Sequence, residues 1–175
     1  FELAQIRFED LLQILVGEHG LLNRSVAAFW GSSAADTRRE TVHEVASRIT
    51  RLVPTVRQGI AKMFKELEGF LDGGIETTAS VLRENRITSA TRSQPLWSEL
   101  EIQWENFDVL LAELQNDLSA LNTSLESLDE AGLTDYEGLV MEVLNVLQAN
   151  VEMRQRLTEF ITQPKAEDIY WVTRT

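Results

Sequence analysis

The clearest pattern in the chain is a run of large apolar residues that recur at alternating steps of three and four. Its ten members are Trp97, Leu100, Trp104, Phe107, Leu111, Leu114, Leu118, Leu121, Leu125 and Leu128. A mean step of about 3.5 residues keeps one face of a helix turned toward a partner helix, as in a coiled coil. The pattern therefore predicts a long helix over 95–129, with Pro95 in its first turn.

A second run with the same spacing follows a connection of seven residues, 129–135. Its members are Tyr136, Leu139, Val143, Val146, Asn150, Met153, Leu157 and Phe160, and Val140, Leu147 and Val151 widen it. So short a connection predicts that the helix over 135–163 lies antiparallel to the first helix. Asn150 either fixes the register of the two helices or lies at the margin of the apolar face and reaches solvent, and we favour the margin.

The first 30 residues predict two short helices separated by glycines. The first helix has its apolar residues in helical clusters and ends at Gly17; these residues are Leu3, Ile6, Leu11, Leu12, Ile14 and Leu15. The second helix begins at about Leu21 and ends at about Trp30, before Gly31 and two serines. Residues 1–30 are therefore expected to contribute short helices only.

A long helix is predicted over 37–72, because apolar residues recur on one face from Val42 to Phe70. Pro54 lies inside this run, so we expect a kink or a break nearby. The 95–129 helix should extend past its hairpin partner at the Trp97 end, since its apolar run is about 46 Å long against about 36 Å. The long helix over 37–72 could cover that end.

Two short segments predict a minor β element. Residues 79–88 contain β-branched side chains, which permit a short strand or an irregular segment that crosses the bundle. Residues 169–173 favour a second strand, and we place its start at about residue 168. The whole pattern predicts an all-α fold, an elongated antiparallel hairpin or bundle of long helices with a minor β element. We expect a single domain over 1–175.

The composition excludes several classes of protein. No cysteine is present, which excludes disulfides, thiolate metal sites and iron–sulfur ligation in this segment. The apolar runs are far shorter than the roughly 20 residues that span a bilayer, and no signal peptide opens the sequence. We therefore expect a cytoplasmic location without a membrane partner.

The net charge of −12 is concentrated in one part of the chain. Residues 94–168 carry three basic and sixteen acidic side chains, whereas residues 37–93 carry ten basic and seven acidic ones. Because a phosphate backbone is bound by Lys and Arg, contact with nucleic acid is expected in the middle segment alone. The plain alternative is that both segments are ordinary solvated helix faces.

No set of residues indicates catalysis. His19 and His43 lie on separate segments, and the chain has neither a phosphate-binding Gly-x4-Gly-Lys loop nor a Gly-x-Ser-x-Gly nucleophile turn. Neighbouring carboxylates such as Glu99 and Glu101 are typical of an exposed acidic helix rather than of an acid–base pair. We predict no catalytic residue, no cofactor site and no metal site in this segment.

The remaining candidates are basic residues of the middle segment that could contact a single nucleic-acid strand. They are Lys62, Lys65, Arg83, Arg86 and Arg92, with Phe64 between the two lysines. Such a strand is bound by positive charge combined with stacking. The alternative is that the charges belong to helix surfaces and that Phe64 is a core residue. Trp97 and Trp104 are expected to be core residues, and stacking platforms only if the apolar run is partly open.

Five short segments carry a family resemblance. They are Phe-Glu-Leu at 1–3, Lys-Met-Phe-Lys-Glu-Leu-Glu-Gly-Phe-Leu at 62–71, Arg-Ile-Thr at 86–88, Pro-Leu-Trp at 95–97 and Asp-Ile-Tyr-Trp-Val at 168–172. Together they resemble the arch of the DinG-type bacterial helicases, which are related to the XPD helicase. In that family the arch is a helical insert that leaves the first motor domain after an Asp-Glu-Ala-His box and returns through a strand. The resemblance covers essentially the whole chain.

The resemblance implies a mechanical role, in which the arch closes over the motor domain and helps form the passage for one DNA strand. The family's ATP-binding loop, Asp-Glu-Ala-His box and arginine finger match nothing here. ATP and magnesium would therefore be cofactors of the parent helicase, and the four cysteines that hold an iron–sulfur cluster in many relatives are absent. The implied partners are the motor domains of the same polypeptide, with single-stranded DNA as a second candidate. We expect a monomer.

The competing hypothesis is a helical interaction or signalling module with no role on nucleic acid. Such a module should dimerise through the apolar run at 97–128, as a coiled coil or a four-helix bundle does. An arch should instead be monomeric, bind no ATP and dock onto motor domains. A carboxylate-based metal enzyme would need paired Glu-x-x-His motifs, which the sequence lacks.

Overall fold

A computed structural model describes residues 4–32, 36–74, 83–128 and 136–174. Its elements are α1 (Gln5–Leu15), α2 (Leu21–Gly31), α3 (Asp36–Gly74), β1 (Arg83–Ile87), α4 (Ser89–Arg92), α5 (Pro95–Glu126), α6 (Tyr136–Ile161) and β2 (Tyr170–Arg174). The predicted fold class, all-α with a minor β element, is confirmed. Among the helices described, none combines the length and the apolar character needed to cross a membrane. Leu3 and the connection 129–135 lie outside the described residues.

Helices α5 and α6 form the predicted antiparallel hairpin. At one end, Trp97 of α5 donates its indole N–H to the carbonyl of Ile161 at the end of α6, over 3.1 Å. At the other end, the hydroxyl of Tyr136 donates to the carbonyl of Leu125. All ten members of the apolar run at 97–128 are buried, as the coiled-coil spacing predicts. Val151 is wrongly assigned to the apolar face of α6, since it is 40% exposed.

Asn150 is fully buried, so the prediction that it reaches solvent at the margin is wrong. Its side-chain amide donates to the carbonyl of Leu111 on α5, over 3.0 Å. Val146 and Met153 precede and follow it on the same buried face. An amide with a specific partner on the facing helix favours one alignment of α5 and α6, because a shifted register would leave it unpaired in the core.

Helix α3 also packs along α5 and runs antiparallel to it. Phe70 near the end of α3 meets Trp97 edge to face, with ring centroids 5.2 Å apart. Pro54 does not break α3, which continues as one helix to Gly74. Pro54 is exposed, so the backbone carbonyl that loses its donor lies on the side where water can bind it.

Helix α5 does not extend past α6 at the Trp97 end, contrary to the prediction. Trp97 is fully buried, because Phe160 of α6 reaches it as well as Phe70 of α3, with a centroid distance of 5.8 Å to Phe160. Helix α6 therefore extends as far as the first turn of α5. Helix α3 also covers this end of α5, as predicted for the long helix over 37–72.

Helices α1 and α2 pack across α3, and α2 also reaches α6. Arg24 of α2 forms an ion pair with Glu142 of α6, over 2.7 Å. Within α1 the buried face consists of Phe8, Leu11, Leu12 and Leu15. Ile6 and Ile14, which belong to the same predicted apolar cluster, are 63% and 50% exposed. Apolar residues occupy two sides of this short helix, so the sequence pattern alone did not select the buried side.

Strands β1 and β2 pair in antiparallel register at the Trp97 end of the bundle, and we call this pair the ribbon. Its register places Arg86 opposite Trp171 and Ile87 opposite Tyr170. The two predicted strands, near 79–88 and 169–173, are confirmed over the described residues, although the second begins at Tyr170 rather than at 168. The ribbon is the only described element that is not helical.

Candidate functional site

The ribbon has one face on the bundle and one face in solvent. Successive residues of a strand point to opposite faces, so Ile87 and Tyr170 share one face while Arg86 and Trp171 share the other. Ile87 is buried, and Tyr170 and Val172 pack against the core. Arg86 is exposed and Trp171 is 53% exposed. We call the surface formed by Arg86 and Trp171 the outer face of the ribbon.

Arg92 lies beneath the ribbon, inside a group of three aromatic rings. Its guanidinium carbon is 5.0 Å from the ring centre of Trp97, 5.8 Å from that of Phe160 and 5.1 Å from that of Tyr170. We call these three rings the aromatic cage. The rings come from α5, α6 and β2, so a single cation contacts the bundle and the ribbon at once.

The short helix α4 brings Arg92 to the cage directly after β1. Thr88 caps this helix: its hydroxyl accepts from the backbone N–H of Thr91, while the Thr91 hydroxyl accepts from the backbone N–H of Thr88. This reciprocal pair satisfies donors that an uncapped helix start leaves open. Arg92 follows at the end of the same turn, and its position is therefore fixed relative to the ribbon.

Both terminal nitrogens of the Arg92 guanidinium are buried without a hydrogen-bond acceptor. Burial accordingly lowers the pKa of Arg92, since water no longer stabilises its charge; Tyr170 and Glu101 oppose this effect in part. The prediction that Arg92 contacts a nucleic-acid strand does not fit this position. Arg92 is a bridge within the fold, because its donors are shielded from a ligand.

The other predicted contact residues fall into two groups. Arg83 and Arg86 lie on β1, and Arg86 belongs to the outer face. Lys62 and Lys65 are exposed on α3, about three turns before its end at the cage side. Phe64 is not a free stacking platform, because it is half-buried and packs edge to face on Phe8, with ring centroids 6.3 Å apart.

Trp171 is the residue that sequence reasoning missed as a contact candidate. It entered only as part of the strand pattern at 168–172, whereas the structure exposes its ring next to Arg86. The strand pattern at Tyr170, Trp171 and Val172 could have predicted this exposure, since a strand that buries its first and third residues exposes the second. Trp97 and Trp104 are core residues, as predicted.

Two arginines of the bundle are shown with carboxylate partners on α5. Arg154 of α6 donates to both oxygens of Asp108, over 2.7 and 3.0 Å, and Arg48 of α3 donates to Asp117 over 2.7 Å. The hydrogen bond to its partner raises the pKa of each arginine. Asp108 and Asp117 of α5 thus bind the two neighbouring helices.

Within the described ranges, His, Asp and Glu side chains form no group of three that could hold a metal ion. A shallow groove of about 440 Å³ lies between α2 and α3, with Leu22 and Ala46 at its base and His43 and Arg51 at its rim. None of the protein-family models, curated proteins or solved structures compared with this chain matches it.

Proposed function

We propose that this chain is the arch of a DinG-type, ATP-dependent DNA helicase and that it guides single-stranded DNA along the outer face of the ribbon. The observation that carries the proposal is the exposed pair of Arg86 and Trp171 at one end of a closely packed bundle. A planar ring that stacks on a base, next to a cation that attracts a phosphate, is the combination that single-strand binding proteins use.

The distribution of charge supports this placement. The segment 94–168, which forms α5, α6 and the approach to β2, carries sixteen acidic and three basic residues. In sequence the two strands carry three arginines and one glutamate, and Arg86 is the arginine whose exposed side chain lies on the outer face. An anionic strand is repelled along the hairpin and attracted at the ribbon, so the charges favour one end of the molecule.

The packing supports a mechanical role rather than self-association. The apolar run at 97–128 is occupied by α3 and α6 of the same chain, and each of its ten members is buried. A second copy could use this run only after the bundle opened. A bundle held by long antiparallel helices keeps its length under load, which suits an element that holds a passage open.

The proposal is tested with the full chain and a fluorescently labelled oligothymidylate, by anisotropy at increasing KCl concentrations. Trp171→Ala should weaken binding about tenfold, since stacking on an aromatic residue contributes roughly 1–3 kcal/mol per base. Arg86→Ala should weaken binding and lower the slope of log K against log salt by about one. Affinity that does not fall with salt would contradict the proposal.

Trp30 offers a matched control at a different place on the molecule. It is 61% exposed on α2, and Arg39 lies over its ring at 5.5 Å, so it reproduces the chemistry of an exposed Trp with an arginine. Trp30→Ala should leave the affinity unchanged. If the two tryptophan variants lose affinity equally, the binding is not a property of the ribbon and the proposed site is wrong.

The parent polypeptide supplies an independent test of the helicase assignment. A DinG-type parent carries a phosphate-binding loop upstream of Phe1 and an Asp-Glu-Ala-His box shortly before it. A parent sequence that lacks either motif would overturn the assignment. The test does not depend on whether the isolated chain binds DNA.

A further inference from the structure

We infer that Arg92 is a positioning residue: it holds Tyr170 against the bundle and thereby keeps Trp171 turned toward solvent. Tyr170 and Trp171 are neighbours on β2 and point to opposite faces. A contact that fixes one of them fixes the direction of the other. The inference takes its ligand, single-stranded DNA, from the proposed function, whereas the positioning itself rests on geometry alone.

The ribbon needs an anchor of this kind. It has two strands of five residues each, and an isolated two-stranded hairpin is at best marginally stable in water. Tyr170 is the member of β2 whose ring meets both Phe160, at 6.1 Å, and the guanidinium of Arg92, at 5.1 Å. Arg92 in turn meets Trp97 in the core, so the ribbon is joined to the fully buried part of the bundle.

The chemistry of the cage explains why the residue is an arginine. A guanidinium is planar and weakly hydrated, so it stacks on several aromatic faces at once, which an ammonium group does less well. The terminal nitrogens have no acceptor, so an ion pair is not what holds Arg92 in place. The contact with the three rings therefore holds Arg92 in place, and a variant that tests its role must remove this contact.

A second contact holds the hydroxyl of Tyr170. The backbone N–H of Lys165 donates to the Tyr170 hydroxyl over 3.0 Å, and the Lys165 ammonium group bonds to Glu159 of α6 over 2.7 Å. Tyr170→Phe removes only the hydroxyl and keeps the ring over Arg92. This variant therefore separates the hydrogen bond from the contact between ring and cation.

Hydrogen exchange of the full chain tests the positioning without DNA. In Arg92→Met the backbone amides of β1 and β2 should exchange at least about tenfold faster, while amides around Leu114 in α5 keep their rates. Arg92→Lys should lie between Met and wild type, and Tyr170→Phe should stay within about threefold of wild type. Ribbon amides that do not respond to Arg92→Met would overturn the inference. So would equal acceleration in α5, because Arg92 would then stabilise the whole fold.

A double-mutant cycle tests whether Arg92 acts through Trp171. Arg92→Met and Trp171→Ala should each weaken oligothymidylate binding about tenfold, and the double variant should lose no more than either single variant. A hundredfold loss in the double variant would mean that Arg92 contacts the strand independently, which overturns the inference. If the wild-type chain binds no oligothymidylate, the proposed function fails, while the exchange experiment still decides the role of Arg92.

Discussion

Two half-buried arginines, Arg154 in the middle of the bundle and Arg92 at the ribbon end, are held in opposite ways. Arg154 crosses from α6 to α5 and donates to both carboxylate oxygens of Asp108. Arg92 crosses from α4 to three aromatic rings and has no acceptor for its terminal nitrogens. The hydrogen bond to Asp108 raises the pKa of Arg154, whereas burial lowers that of Arg92.

The difference shows that each region uses its cation for a different task. In the middle, a guanidinium with a fixed carboxylate specifies which turn of α6 faces which turn of α5, and Arg48 does the same between α3 and Asp117. At the ribbon end, a cation among rings joins two elements without directional bonds. The contacts in the middle therefore specify how the helices align, whereas the contact at the end attaches the exposed ribbon to the bundle.

A substitution at a close contact between helices should change the free energy of unfolding more than any other variant described below. A Cβ added at Gly59, in the middle of α3, would lie 2.6 Å from Cδ2 of Phe107, whose ring is buried between Phe8 and Trp104. Gly59→Ala should therefore lower the free energy of unfolding by about 2 kcal/mol, because overpacking exceeds the gain in helix propensity. Urea unfolding followed by circular dichroism measures this change.

Gly69 is the matched control in the same helix, near the ribbon end. A Cβ there meets nothing within 4 Å, so Gly69→Ala should raise the free energy of unfolding by up to about 1 kcal/mol. Opposite signs for the two substitutions would confirm that Gly59 faces α5 at close range whereas Gly69 faces solvent. Equal signs would contradict that packing.

The two arginines themselves provide the next test. Arg154→Met removes the partner of Asp108, whose carboxylate is only 31% exposed, and should cost about 1.5 kcal/mol. Arg92→Met leaves no acceptor unpaired and should cost less than about 1 kcal/mol in global stability, since a cation–π contact is exchanged for an apolar one. Thermal or urea unfolding of the two variants measures both changes. A larger loss of unfolding free energy for Arg92→Met than for Arg154→Met would contradict the proposed difference between the two arginines.

The sequence predicted the buried face of the long helix α5 better than that of the short helix α1. A strict three-and-four spacing determines which face of α5 is buried whichever helix covers it, and all ten members of the run are buried. The short helix α1 lacks such a spacing. Its predicted apolar cluster therefore included Ile6 and Ile14, which are exposed, and did not include Phe8, which is buried.

The role of Arg92 depends on residues that are distant in sequence. Trp97, Phe160 and Tyr170 meet around it only after α5, α6 and β2 have assembled, and a charge pattern along the chain does not contain that information. The prediction for Asn150 was wrong for a related reason, since the acceptor of its hydrogen bond is a backbone carbonyl of another helix. Binding of DNA by Arg86 stays a prediction.

Acid gives the smallest test of the contrast, because the ion pair of Arg24 with Glu142 depends on a carboxylate, whereas the contact of Arg92 with its three rings does not. The hydrogen bond from Arg24 lowers the pKa of Glu142, so this pair stabilises the fold above the ordinary glutamate pKa of about 4.3 and loses its effect as pH falls through the lowered value. Both side chains are partly exposed, at 35% and 46%, so Glu142→Gln should cost only about 0.5 kcal/mol at pH 7. At pH 3 the variant and the wild type should converge, and Glu152→Gln, at an exposed position of the same helix, should show a smaller difference at pH 7. A cost that persists unchanged at pH 3 would show that the glutamine disturbs packing, and that the ion pair of α2 with α6 is not what acid removes.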